Sequence, residues 1–472
     1  MSAFRASSFI ESALTERSAF GTINDLQVWL GERATANRFE VRRIAFADLD
    51  QWTFGSNGAL AHHSGQFFRM QGIEVETNWP RPHRMVQPII HQPEIGILGF
   101  LVKEFDGVLH FLIQAKMEPG NINLVQFSPT VQATKSNYSQ VHRGTRPPYI
   151  EYFIDRKGSR VLVDQLQSEQ GAFFLRKRNR NMIVRVEGDV APHADFRWVT
   201  LGQVNSLLRE DNLVNMDSRT VLSCIPFFDE RHELPTPGNG NNALQRSFRL
   251  EMFESLFGPG RPMHEIAELI SWFTELKTQC VIATRETRLD GLPGWSRSAD
   301  AISRDDGKYF SVVAVSVQAS NREVAGWTQP IIAPCKTGIV GFITKRIGGK
   351  LHFLVQARVE AGSFDMLEMA PTVQYLPGEE GARVEEKSPP FLDLITEAPS
   401  QSVRHNSLQS EEGGRFYQYQ NRNIVVQLGD DEVLDLPGNY IWMSLRQIKE
   451  FIRYNHFNIE ARGLLACLGL AF

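Results

Sequence analysis

The chain uses one stretch twice. Residues 87–132 read QPIIHQPEIGILGFLVKEFDGVLHFLIQAKMEPGNINLVQFSPTVQ, and residues 329–374 read QPIIAPCKTGIVGFITKRIGGKLHFLVQARVEAGSFDMLEMAPTVQ. Aligned without a gap at an offset of 242, the 46 positions hold 22 identities. Distant stretches do not agree to that extent by chance, so the sequence carries an internal duplication. The fold is thereby restricted to two copies of one unit, and every candidate site becomes a comparison between copies.

The correspondence runs outward from these blocks. Leu49 and Trp52 match Leu292 and Trp295, and the alternating IEVET from Ile73 matches VSVQA from Val315, a strand pattern. QSEQGAFFLRKRNRNMIV from Gln167 matches QSEEGGRFYQYQNRNIVV from Gln409, and NMDSRTVLSC from Asn215 matches NIEARGLLAC from Asn458. A chain of 472 residues exceeds one ordinary core. The duplication sets two domains, 1–233 and 245–472, joined by a Pro-, Gly- and Asn-rich linker over 234–244.

Each half reads as helix, strands with a hairpin, and closing helices, which is α+β with a mixed sheet and flanking helices. Residues 1–44 read as helical, with Asn24 able to cap a helix through Leu26, Val28, Trp29 and Leu30; HEIAELISWFTELKTQ from His264 is its counterpart. Asp106-Gly107 and Gly348-Gly349 are hairpin turns. Thr200 and Ser444 are helix caps. His110 and His352 occupy one place in the return strands and read as structural.

The net charge of −4 and pI near 6.3 leave no polyanion footprint, which argues against nucleic acid as a partner. No apolar run reaches a membrane span of roughly 18 residues, and the first residues do not read as a signal peptide. Four scattered cysteines without a CxxC pair fit a reducing cytoplasm. The P-loop, dinucleotide-fold, zincin and nucleophile-elbow motifs are all missing. His62-His63 has no acidic or Cys partner at ligand spacing and reads as a surface loop, not a metal site.

The richest polar run is 128–153, SPTVQATKSNYSQVHRGTRPPYIEYF. It holds Thr130, Gln132, Lys135, Ser136, Asn137, Tyr138, His142, Arg143, Arg146, Tyr149, Glu151 and Tyr152. Aromatic faces stack on rings, cations meet phosphate, and amides and hydroxyls address sugar hydroxyls. The other reading is a solvated loop between strands. A second cluster, RKRNRN at 176–181, could hold a diphosphate or be an exposed basic turn. Asn179, Arg180 and Asn181 recur in the second copy and read as structural; Arg176, Lys177 and Arg178 belong to the first copy alone. Gln167-Ser168-Glu169 also recurs, at 409–411, and reads equally as a shared turn.

At SPTVQATKSNYSQVHRGTRPPYIEYF, QSEQG, NRNMIV and QSEEGGRF the chain resembles the NDP-hexose 2,3-dehydratases of deoxysugar biosynthesis, over nearly its whole length. The resemblance implies two tandem Nudix-like domains per subunit and a homodimer. It implies a nucleotide-linked 4-keto-6-deoxyhexose substrate, usually dTDP-4-keto-6-deoxy-D-glucose, that loses water across C2 and C3. The product would be a labile 3,4-diketo-2,6-dideoxy sugar nucleotide, reduced at C3 by an NAD(P)H-dependent partner. It also implies two nucleotide-sugar pockets per subunit, one of them catalytic. The C4 ketone acidifies the C3 hydrogen, so the chemistry asks for a base, an enolate partner and an acid, and needs no metal or redox cofactor. His142 and Glu151 are the acid or base candidates, and Tyr138 or Tyr152 could protonate the leaving hydroxyl or hold the enolate. Lys135, Arg143 and Arg178 could neutralise the diphosphate, and Thr130, Gln132, Ser136, Asn137, Tyr149, Arg176 and Arg180 complete the expected binding set. Arg415, Tyr417 and Arg422 would line a second, binding pocket. Two rival readings are a Nudix pyrophosphohydrolase and a non-catalytic binding protein. Neither post-hairpin segment carries the REUxEE carboxylates that hold magnesium in Nudix hydrolases.

Overall fold

The computed structural model describes residues 7–139, 145–156, 158–227, 243–379 and 388–469. Each half contributes a seven-stranded mixed sheet. In the first, Ser159–Ser168, Arg178–Val186, Gly96–Phe105, Val108–Met117 and Phe196–Thr200 lie in that order. Val125–Ser128 adds to Val108–Met117, and Val131–Ala133 adds to Gly96–Phe105. Arg178–Val186 runs parallel to Gly96–Phe105, and the other pairings are antiparallel. The second half repeats the arrangement with Val403–Ser410, Gln420–Gln427, Gly338–Ile347, Lys350–Arg358 and Tyr440–Ser444. The fold is α+β, and the duplication is structural.

The halves exchange strands. Phe39–Ile44 of the first half pairs antiparallel with Phe310–Ala319 of the second, from Phe39 opposite Ala319 to Ile44 opposite Ala314. Reciprocally, Ile282–Thr287 pairs with Arg69–Thr77, from Ile282 opposite Thr77 to Thr287 opposite Gly72. Two antiparallel five-stranded sheets thus contain strands from both copies. The exchanged segments, FEVRRI and IATRET, are short, charged and half-exposed, the composition that suits a sheet edge. One hydrophobic core spans the molecule. It includes Ile73, Val75, Phe100 and Phe111 together with Val313, Val315, Phe342 and Phe353, all fully buried.

Several local expectations meet the structure differently. Residues 39–44 form a strand, not the end of a helix. The helix Ile23–Ala36 is capped by Thr22, not Asn24: Asp25 N donates to Thr22 Oγ1 (3.3 Å) and Thr22 N to Asp25 Oδ2 (2.7 Å). Val28 points to solvent, while Leu26, Trp29 and Leu30 are buried. The hairpin turns are as read, with positive φ at Asp106, Gly107, Gly348 and Gly349. Thr200 and Ser444 cap their helices through Gln203 N and Gln447 N. His110 and His352 bond backbone carbonyls through Nδ1 (2.9 and 2.8 Å), and their Nε2 atoms meet Ser18 Oγ and Met263 N. No described helix is long and apolar enough to cross a membrane.

Gly120 and Gly362 close the contact between halves. Gly120 N donates to Gly413 O and Gly362 N to Gly171 O, both at 2.7 Å. A Cβ at Gly120 would collide with the Phe416 carbonyl, and one at Gly362 with the Phe174 carbonyl. Backbone cannot retreat as a flexible side chain can. Gly120→Ala is therefore expected to destabilise the protein by about 2–3 kcal/mol or more, read as a fall in the denaturant midpoint.

Candidate active site

A cavity of about 570 Å³ opens where the first half's seven-stranded sheet meets the second half. Gly96, Leu98, Lys116, Gln132, Ala133 and Asn179 form its sheet wall, and Asp217 enters from the helix Met216–Ser223. The second half supplies Arg322, Glu323 and Trp327 from the turn and strand near Gly326–Pro334, and Glu412 and Arg415 from the turn after Val403–Ser410. Trp52, His62, His63, Phe67 and Phe68 form an aromatic side. The His62 ring stands edge-on to Trp52 and Phe67, with centroids 5.5 and 4.7 Å apart.

Two kinds of carboxylate share this space. Burial pushes the Glu118 carboxyl up, but Lys116 and Arg322 outweigh it and hold the group below its usual value. Arg322 Nη1 lies 3.1 Å and Lys116 Nζ 3.4 Å from Glu118 Oε1. Glu323 is drawn down to about 2, its burial overcome by Arg322 and Lys116. Glu169 is the opposite case. Burial and then the charge of Glu412 push it up to about 7, against the pull of Lys177. Asp217 and Glu412 are raised too, first by burial. Lys177 is lowered by burial, opposed by Glu169 and Glu94. Glu169 Oε1 accepts from Asn179 Nδ2 at 2.6 Å, while Glu169 Oε2 and Asp217 Oδ2 have no partner among the described residues. A buried carboxyl poised near neutrality with a free oxygen, beside a cation, is equipped to move protons.

The same place in the second half is filled, with a residual cavity of about 20 Å³. Tyr419 stands where the first half has Lys177, Tyr375 replaces Ala133, Leu376 replaces Thr134, and Phe173 replaces Arg415. Phe173 packs on Tyr309, Phe416 and Tyr419. Glu411, the counterpart of Glu169, is satisfied at both oxygens, by Asn421 Nδ2 (2.6 Å) and Gln170 Nε2 (2.7 Å).

The sequence model of one family, described as NDP-hexose 2,3-dehydratase, matches residues 23–225 and again 266–468. The chain belongs to the NDP-hexose 2,3-dehydratase family. It is 48% identical over 462 residues to a Saccharopolyspora spinosa protein named dTDP-4-dehydro-6-deoxy-alpha-D-glucopyranose 2,3-dehydratase, covering 98% of this chain and 94% of the relative. Proteins of the same name from Amycolatopsis orientalis and Streptomyces violaceoruber are 46% and 44% identical, covering 98% and 93% of this chain and 93% and 95% of theirs. The duplication is therefore a property that the dehydratase family model meets twice.

Of the residues singled out in the sequence, Gln132, Asn137, Lys177, Asn179 and Arg415 line the large cavity of this dehydratase. His142 and Arg143 lie outside the described residues. Thr130 spends its hydroxyl inside the sheet, accepting from Leu101 N at 2.9 Å and donating to Leu112 O. Ser136 bonds Glu94. Tyr149 is buried, its hydroxyl donating to Ala191 O (3.1 Å) and accepting from His193 N (2.8 Å). Tyr138 and Tyr152 pack on the apolar cluster around Tyr149 and Phe153, and Glu151 begins the short helix Glu151–Ile154; none of the three lines the cavity. Lys135 is exposed. Arg180 is held by Asp164 (2.7 Å) and Arg422 by Asn406 (2.9 Å). Tyr417 bonds Ile332 through its backbone. Arg176 and Arg178 line a separate hollow of about 360 Å³ with His91 and Phe364, the Arg178 guanidinium 3.7 Å above the Phe364 ring. Arg415 lines the large cavity, and Tyr417 and Arg422 line none of these three cavities. As site residues, Glu118, Asp217, Arg322, Glu412, Trp52, Phe67 and Phe68 were not expected from the sequence, in which His62-His63 reads as a surface loop and Glu169 as a turn. One signal was present: QSEQG against QSEEG, where Gln170 and Glu412 occupy the same place in the two copies.

Proposed function

We propose that the chain removes water across C2 and C3 of dTDP-4-dehydro-6-deoxyglucose, giving the 3,4-diketo-2,6-dideoxy sugar nucleotide. The full-length likeness to relatives of that name supports the substrate. The observation that carries the site is Glu169, buried, near neutrality and with an oxygen that has no partner among the described residues, in the cavity of about 570 Å³. Its carboxylate takes the C3 proton, and the electrons move to the C4 oxygen, where Lys177 offers a cation. The C4 carbonyl then re-forms as the C2–O bond breaks. The resulting C3 enol ketonises with protonation at C2. Trp52, His62, Phe67 and Trp327 offer faces for the base and sugar, and Arg415 a guanidinium for the diphosphate.

The finer family features belong to the same proposal. The mixed sheets with flanking helices are compatible with a Nudix-like ancestry. Ile266 and Ile270, one turn apart on an exposed helix face, suit a homodimer contact. A vicinal diketone is labile, which calls for an NAD(P)H-dependent 3-ketoreductase downstream. Cys224, Cys280, Cys335 and Cys467 are free, in keeping with a cytoplasmic setting.

Incubating the protein with dTDP-4-dehydro-6-deoxyglucose, with a 3-ketoreductase and NADPH as trap, tests the reading by mass. Loss of about 18 Da (one water) in the untrapped product, or about 16 Da once the trap has added two hydrogens, supports it. Release of nucleoside monophosphate, or binding without change, overturns it. Because the base must be ionised, kcat is expected to rise with pH through about 7 and to be lost below it, as the Glu169 pair takes up its proton.

A further inference from the structure

We infer that Glu412, brought in from the second half of the chain, is the acid that protonates the departing C2 hydroxyl, acting as one unit with Glu169. The inference rests on the reading of Glu169 as the base. Its warrant is the comparison between the two quasi-equivalent places. In the filled place Gln170 Nε2 donates to Glu411 Oε2 at 2.7 Å, an amide facing a carboxylate. In the open cavity the corresponding residues are Glu412 and Glu169, which both line it, so the repeat puts a second carboxyl in the place where the other copy has a neutral donor. Two carboxyls at such a position, one buried and one half-buried, do not readily both ionise, and a proton held by one supplies the donor that the amide supplies in the other copy. The surroundings agree: burial raises both Glu412, against Arg415, and Glu169, against Lys177, so the pair holds a proton between them. Glu118 adds negative charge beside Glu412, Lys116 and Lys177 oppose it, and Glu412 and Glu169 in turn raise Asp217.

The proton inventory closes on this pair. Glu169 gains the C3 proton and the enolate forms at C4–O. Glu412 gives its proton to the C2 oxygen, the C2–O bond breaks, water leaves, and the enolate electrons restore C4=O with a C2=C3 double bond. Glu169 now holds the proton that Glu412 has lost, and one transfer between them resets the site. Ketonisation moves the enol proton from the C3 oxygen to C2 without changing that count. In the second half, Gln170 has no proton to give in this way.

Glu412→Gln copies a pairing the chain already accommodates at Gln170 and Glu411. The expected result is that the variant still binds dTDP-4-dehydro-6-deoxyglucose and still exchanges its C3 hydrogen in D₂O, followed by NMR. Elimination of water falls at least about 100-fold. Glu412→Asp, which keeps the proton, recovers part of the loss. Elimination at the wild-type rate in Glu412→Gln overturns the inference, and so does loss of exchange together with elimination. Glu169→Gln separates the two readings: if it retains exchange and elimination, the base assignment falls irrespective of Glu412.

Discussion

Glu169→Gln is expected to lower kcat for water loss by about 10²- to 10⁴-fold while leaving the affinity for the nucleotide sugar within a few-fold of wild type. The amide keeps the shape and can still meet Asn179, which donates to Glu169 Oε1 at 2.6 Å. What it cannot do is accept the C3 proton. The chain contains its own control. Glu411 follows the same Gln-Ser pair and makes the same asparagine contact, but its second oxygen is occupied by Gln170 and its surroundings are filled by Phe173, Tyr375 and Tyr419. Glu411→Gln is expected to leave kcat close to wild type. Steady-state kinetics and calorimetric binding on the two variants make the comparison, and an equal loss in both would contradict a chemical difference between the copies.

The largest expected effect on stability is at Arg462. This side chain is 0% exposed and reaches across the molecule. Its Nη1 donates to Phe457 O (2.6 Å), and its Nη2 to Ser168 O (2.7 Å) and Thr220 Oγ1 (3.1 Å). Arg219 returns the contact, donating to Ser410 O (2.6 Å) and Gln409 Oε1 (3.0 Å). Each copy's buried arginine thus pins the other copy's Gln-Ser-Glu segment. Arg462→Ala leaves two buried carbonyls without this donor and opens a void, which should cost about 3–5 kcal/mol in denaturant unfolding. Arg462→Lys, with one ammonium in place of a planar fork, should fall between. Since Ser168 precedes Glu169, the lysine variant should also lose kcat. A cost below about 1 kcal/mol for the alanine variant would remove the arginine from this role.

What the sequence disclosed and what it concealed divide along physical lines. Duplication, hairpins and the caps at Thr200 and Ser444 are local, written in spacing and turn chemistry, and they are present as read. The exchange of Phe39–Ile44 and Ile282–Thr287 is not local. The offset of 242 states which residues correspond, but pairing within a half and pairing across halves satisfy the same strand pattern. The site was concealed for a related reason. The run 128–153 drew attention by its density of polar and aromatic residues, yet Thr130 and Tyr149 spend their hydroxyls on backbone groups of the fold. Glu169 was set aside because Glu411 repeats it. The difference is in what lies beside each: Glu412 in one copy, Gln170 in the other, and Lys177 against Tyr419. A group kept in both copies can be chemical in one of them when its neighbours change its proton affinity and its room. Single differences at facing positions carried that information, and they stand out only once the fold says which positions face.

The most direct test of this account is a structure with an unreactive dTDP-hexose bound. The hexose is expected in the large cavity, its C3 within about 3–3.5 Å of a Glu169 oxygen and its C2 oxygen toward Glu412. A hexose seated elsewhere, such as the hollow of Arg176, Arg178 and Phe364, with the Glu169 cavity left empty, would contradict it.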